Sequence, residues 1–222
     1  MSTPPLPVVV LISGNGSNLQ ALIDSQRAGH LPVDLRAVIS NDPSAYGLER
    51  ARAAGMAAEV VDHRDFLDRA AYDTALRERI DAHQPRLVVL AGFMRILTHG
   101  MVNDFQGRML NIHPSLLPAF RGLHTHRRVL EARHTVHGCS VHFVTPALDA
   151  GPVVAQGVVP VNPDDTEDSL ANRVLQQEHR IYPLVVRWFA QGRLELDREV
   201  ALLDGAPLYT PVRLGPNDPL PG

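Results

Sequence analysis

The chain has 222 residues, 45% of them hydrophobic and 20% charged, with a net charge of −3 at neutral pH. That balance is ordinary for a globular protein and argues against a broad basic surface for nucleic acid or an anionic membrane, and no apolar run is long enough to span a bilayer. All 21 basic residues are arginine, which excludes both a lysine Schiff base to pyridoxal phosphate and the lysine of a P-loop.

The single cysteine, Cys139, excludes an internal disulfide and fits a reducing cytoplasm. No basic region opens the chain, so no secretory leader is expected. Residues 1–7 are proline-rich and expected to fray. Val8 to Ile12 is a continuous β-branched and aliphatic run, as in a strand buried on both faces of a parallel sheet. Ser13-Gly14-Asn15-Gly16-Ser17-Asn18 follows, then Leu19, Leu22 and Ile23 at helical spacing. Ser17 and Gln20 fit a capping box that would start this helix. A strand, a glycine-rich loop and a helix can bind phosphate through exposed N–H groups and the positive helix end. The same pattern is also a tight turn needing glycine for φ > 0. The dinucleotide fingerprint does not fit, because Leu19 stands where its third glycine belongs.

Strands are predicted over Val33 to Asn41, Ala58 to Val61, Leu87 to Ala91 and Met109 to Ile112. Helices are predicted over Ala45 to Gly55 and Asp65 to His83. The second helix would point Leu67, Ala71, Leu76 and Ile80 inward and stop at Gln84-Pro85. Gly92 to Leu97 is a loop, and Thr98 is placed to cap a short helix. Alternating βα units imply an α/β fold: a Rossmann-like, mostly parallel twisted sheet with helices on both faces. Ligands bind such sheets beyond the carboxyl ends of the strands, so the loops at 13–18, 92–97 and 111–118 are expected to converge.

After Pro118 the pattern changes. His124 to Arg133 reads as a helix. Gly138 to Thr145 and Pro152 to Val161 read as a hairpin-like pair with a wide loop. Asp164 or Asp165 would cap a long helix, Thr166 to Ala190, kinked at Pro183. Arg193 to Asp197 and Glu199 to Leu203 suggest an antiparallel hairpin added at the C-terminal end. The last 16 residues hold five prolines and read as an extended tail. The expected organisation is one domain over 8–205 and a proline-rich tail over 206–222.

Leu110-Asn111-Ile112-His113-Pro114 carries the strongest chemical signal. Strand alternation puts Asn111 and His113 on one face at a strand terminus. An amide NH₂ can stabilise an oxyanion, and an imidazole can move a proton near neutral pH. A polar strand end capped by a proline turn is the structural alternative. Asp149 lies on a loop beside Gly151; it could orient His113, or simply be a turn aspartate. Six histidines fall between His113 and His142, but none shows the spacing of a tetrahedral metal site, so no metal is expected. Cys139 on a predicted strand reads as a core thiol.

Several segments resemble a known family. They are Val10 to Gln20, Ala91 to Leu97, Asn111 to Pro118, Gly122 to His126, His137 to Val144, Leu148 to Val153 and Gln177 to Pro183. Together they are similar to the folate-dependent phosphoribosylglycinamide formyltransferases of the formyltransferase superfamily. The resemblance spans about residues 8–205. It implies formyl transfer from 10-formyltetrahydrofolate, a co-substrate, to the amine of N1-(5-phospho-D-ribosyl)glycinamide in purine biosynthesis. By carry-over, Asn111, His113 and Asp149 are catalytic. Gly16, Ser17 and Asn18 hold the substrate phosphate, and Glu178 its ribose. Arg69, Met94, Arg95, Ile96, Leu97, Asn111 and Thr145, Pro146, Ala147, Leu148, Asp149 hold the folate. The partners implied are these small molecules, in the cytoplasm, with no nucleic acid or membrane; a homodimer is compatible with the resemblance. The alternatives are a 10-formyltetrahydrofolate hydrolase, another folate-dependent formyltransferase or a non-catalytic phosphate-binding module. A tRNA-directed relative would have a further C-terminal domain, and a hydrolase a regulatory N-terminal one. Ala119 and Arg121 depart from the pattern, where lysine and proline are common.

Overall fold

In a computed structural model, which describes residues 4–222, β1 (Leu6–Ile12) is the innermost strand of the N-terminal part. Val8 to Ile12 are all inaccessible to solvent, as the unbroken apolar run requires. Of the residues 1–7 expected to fray, Leu6 and Pro7 instead belong to β1; residues 1–3 lie outside the described residues. The chain divides into two units, one ending at Asn111 and including Val144–Pro146, the other comprising Ile112–Phe143 and Ala147–Gly222.

In the first unit α1 (Ser17–Arg27), β2 (Val33–Ser40), α2 (Gly47–Ala53), β3 (Ala57–Val60), α3 (Arg69–Ala82), β4 (Leu87–Leu90), α4 (His99–Asp104) and the start of β5 (Met109–His113) follow in sequence. The strands are parallel in the order β5-β4-β1-β2-β3. Val9, Leu11, Ile39 and Val88 pack against Tyr72, Leu76 and Ile80 of α3, each contributing roughly 1.5–3 kcal/mol on burial. The predicted start of α3 at Asp65 is corrected to Arg69. Asp68 is its N-cap and accepts from the Ala71 N–H, while His63–Asp65 form a separate 3₁₀ turn. Leu67 is therefore outside the helix and fully exposed, and Ala71 is exposed as well; Tyr72 takes the inward position.

In the second unit α5 (Thr125–Glu131) precedes β6 (Val136–Phe143) and β7 (Val153–Pro160), which pair antiparallel. The long helix α6 (Glu167–Ala190) runs through Pro183 and buries Leu170, Val174, Ile181, Val185 and Trp188. Its cap is Thr166, in a reciprocal box with Ser169, rather than either aspartate. Asp165 instead holds Arg173 at 2.7 Å, and that guanidinium keeps its carboxyl well below the usual carboxylate range. The hairpin β8 (Leu194–Asp197) and β9 (Val200–Leu203) forms as expected, with β10 (Ala206–Pro207) beside β9.

The proline-rich segment is extended, and it is also ordered. Its β11 (Val212–Leu214) runs parallel to β7. Arg180 of α6 donates to the carbonyls of Gly215 and Pro216 at 2.8 and 2.7 Å, and Arg187 to that of Pro221 at 2.8 Å.

Candidate active site

The second unit brings His113 and Asp149 together. His113 ends β5 and is 7% exposed. Asp149 lies between β6 and β7 with φ 47°, a left-handed conformation that aspartate tolerates better than most residues. Its Oδ2 sits 3.5 Å from Nδ1 of His113 and accepts the Gly122 N–H at 2.9 Å. Its Oδ1 is 4.0 Å from Nε2 of His142.

These contacts settle two hydrogen positions. Nε2 of His113 lies 3.0 Å from the Phe120 carbonyl; a carbonyl only accepts, so Nε2 carries the hydrogen. Nδ1 of His142 donates to the Phe143 carbonyl at 2.9 Å by the same reasoning. Burial pushes the His142 imidazole down to about 4, against the opposing pull of that carbonyl and of Asp149. At neutral pH His142 is therefore uncharged, and it presents Nε2 to Asp149.

Around these groups Phe120, Gly122 and His124 also have positive φ, at 53°, 77° and 56°. Left-handed residues cost energy and cluster where geometry serves chemistry. Asn111 precedes His113 by two on β5, so alternation gives their side chains the same side of the strand. Phe120, Gly122 and His142 were not picked out as site groups from sequence. Two of them act through the backbone, which no residue-type signal reveals. A histidine inside an apolar strand was the available clue to the third.

The glycine-rich loop belongs to the first unit. Gly16 is the N-cap of α1 at φ 73°, and no side chain caps the helix. The predicted Ser17–Gln20 capping box is not formed: the Gln20 amide donates to Asp24 at 2.8 Å and its oxygen accepts from Arg50 at 3.2 Å. Arg50 also holds the Asn15 carbonyl at 2.9 Å. A Cβ on Gly16 would stand 2.7 Å from the Gly47 Cα, so glycine is needed for close backbone approach as well as for φ. Ser13 Oγ accepts the Met94 N–H at 2.7 Å, which joins this loop to the 92–97 loop, as the expected convergence requires of those two. There Met94 and Ile96 are 71% and 53% exposed, while Leu97 is buried and Arg95 lies over the Tyr72 ring.

The remaining named positions are placed as follows. Asn18 is buried at the start of α1, and Arg69, exposed, opens α3. Thr145 is half-buried and Pro146 exposed, while Ala147 and Leu148 are exposed in the other unit. Glu178 is buried on α6. Among the described residues no group of three or more His, Cys, Asp or Glu could hold a metal ion. His126 and His137 bond each other instead, Nδ1 to Nε2 at 3.0 Å. Cys139 is buried, and burial pushes its thiol up. Nor, among the described residues, is any helix long and apolar enough to cross a membrane.

The formyl transferase family model matches residues 6–186. The phosphoribosylglycinamide formyltransferase of Escherichia coli is 55% identical over 198 residues, covering 89% of this chain and 93% of that protein. Its counterpart in Haemophilus influenzae is 43% identical over 201 residues, covering 90% and 95%. The structure of the phosphoribosylglycinamide formyltransferase of Coxiella burnetii superposes with a TM-score of 0.91 at 49% identity, covering 94% and 99% of the two chains. A mostly parallel sheet flanked by helices, a His–Asp pair and matches of this extent lead to one conclusion: the chain belongs to the formyl transferase family.

Proposed function

We propose that the protein transfers the formyl group of 10-formyltetrahydrofolate to the amine of N1-(5-phospho-D-ribosyl)glycinamide, a step of purine biosynthesis. The observation that carries the chemistry is the Asp149 carboxylate 3.5 Å from Nδ1 of His113, whose other ring nitrogen bears a hydrogen. The 55% identity to a phosphoribosylglycinamide formyltransferase supports the substrate.

The amine nitrogen attacks the formyl carbon. A new C–N bond forms, and the carbonyl oxygen becomes an oxyanion. The Asn111 amide and the Nε2–H of His113 donate to that oxygen, and one such donor is typically worth about 3 kcal/mol. The bond to N10 of the folate then breaks. The proton lost by the amine must reach N10: His113 gives its Nε2 proton to N10 and takes up the one the amine releases, helped by Asp149 or by a water that Asp149 positions. In the resting structure the Phe120 carbonyl holds Nε2, so that bond must open before the oxyanion is served. Neither a metal nor a covalent enzyme intermediate enters this sequence.

Gly16, Ser17 and Asn18 would bind the phosphate at the uncapped start of α1. Glu178 would hold the ribose hydroxyls. Arg69, Met94 to Leu97 and Thr145 to Asp149 would hold the folate, with the exposed Met94 and Ile96 side chains as apolar cover. The enzyme acts on small molecules in the cytoplasm, without nucleic acid or membrane. The test is an absorbance assay with each substrate alone and both together. The expected result is folate deformylation only when the amine is present, with stoichiometric formylated product. Folate loss without the amine overturns transfer in favour of hydrolysis.

A further inference from the structure

We propose that Arg213 is a positioning residue for His113, acting through Gln156 and the proline-bounded turn that follows the histidine. The inference rests on the formyl-transfer reading for its kinetic arm only.

The turn from Pro114 to Pro118 lacks two N–H donors by composition. Several of its other polar groups are held by a connected set of bonds. Ser115 N–H donates to the His113 carbonyl at 2.8 Å. Ser140 Oγ donates to the Ser115 carbonyl at 2.7 Å and accepts the Leu117 N–H at 3.0 Å. The Gln156 amide nitrogen donates to the Leu117 carbonyl at 2.8 Å and to Ser140 Oγ at 3.1 Å. Ser115, Ser140 and Gln156 are all inaccessible to solvent, so every member depends on a protein partner.

One hydrogen of the Gln156 amide goes to the turn and the other to Ser140 Oγ of β6, which leaves its Oε1 to be satisfied. Arg213 does so, donating from Nε at 3.1 Å. The register is built in: Arg213 and Gln156 are direct neighbours on the β11–β7 ladder. An amide in the flipped orientation would aim its NH₂ at a guanidinium and its oxygen at the Leu117 carbonyl. Arg213 therefore selects the orientation that clamps the turn, and the clamp fixes the end of β5 that carries His113.

Arg213→Met removes the donor and keeps the aliphatic stem. It is expected to lower kcat roughly three- to tenfold, the worth of one net hydrogen bond, with both KM values within about twofold. It should also move the imidazole NMR signals of His113. Arg213→Lys, which can still donate, is expected to restore both. Gln156→Met can neither accept from Arg213 nor donate to the Leu117 carbonyl, so it should reproduce the kinetic loss, and adding Arg213→Met to it should cost nothing further. Unmoved His113 signals in Arg213→Met overturn the proposal, as does additivity of the two substitutions. If the wild-type protein fails to formylate the amine, the functional reading falls, while the NMR comparison still decides whether Arg213 positions His113.

Discussion

The two units bury different kinds of side chain. The first hides a nearly pure hydrocarbon core, with Asn18, Ser40, Asn41 and Asp73 as its buried polar groups. The second buries His113, His137, His142, Ser140, Gln156 and Glu178, among others. Burying a polar group without a partner costs on the order of 1–3 kcal/mol, so the second unit's stability depends on the partners these groups find. The first unit is a scaffold that tolerates exchange of one hydrocarbon shape for another. The second is a wired interior whose parts must agree in direction as well as in volume.

Catalysis provides the largest effect with which to break this contrast. His113→Ala is expected to lower kcat by roughly 10²–10⁴-fold and, because it strips the Phe120 carbonyl of its donor, to lower stability by about 1–3 kcal/mol as well. Near-normal activity in that variant would remove the second unit's claim to the chemistry. Next comes Leu11→Ala in the first unit, which empties a solvent-inaccessible site of β1. A stability loss of about 3 kcal/mol is expected, with kcat unchanged well below the melting point; denaturant titration and steady-state kinetics measure the two together. A kinetic defect without a stability loss would reverse the roles of the units.

Acid stability sharpens the comparison further. Burial pushes His137 and His142 down to about 4, whereas an unfolded histidine titrates near 6.5. As pH falls from about 6.5 to about 4 the unfolded chain takes up protons that the folded chain refuses. The stability tied to these two rings is lost across that window, on the order of 3 kcal/mol for each histidine. Calorimetry from pH 7 to 4.5 measures the decline, and His137→Gln is expected to flatten part of it. The smallest effect is Leu67→Ser, outside α3 and fully exposed, expected to stay within about 0.5 kcal/mol.

What could be read from sequence follows from how local each signal is. β1 and β4 are uninterrupted apolar runs, and the pairing of Asn111 with His113 needs only strand alternation. Asp149 stands far along the chain from His113, so its approach has no local signature; family resemblance pointed to it. The Ser17–Gln20 box looked correct in isolation, but Arg50 from α2 takes the Gln20 oxygen. Asp65 and Asp68 are both acceptable caps for α3 in sequence, and the 3₁₀ turn decides between them. Arg213 and Gln156 were invisible for the same reason as Asp149: a parallel ladder joins segments that share no sequence neighbourhood.

Strand β11 has one more consequence. An uncovered sheet margin is a template on which other chains can add strands. By lying along β7, β11 covers Ala155–Gly157 of that eight-residue strand, with Pro211 immediately before its own three residues and Pro216 two residues after them, and proline cannot donate to a further ladder. Preparations clipped before Pro211 would therefore self-associate sooner on storage.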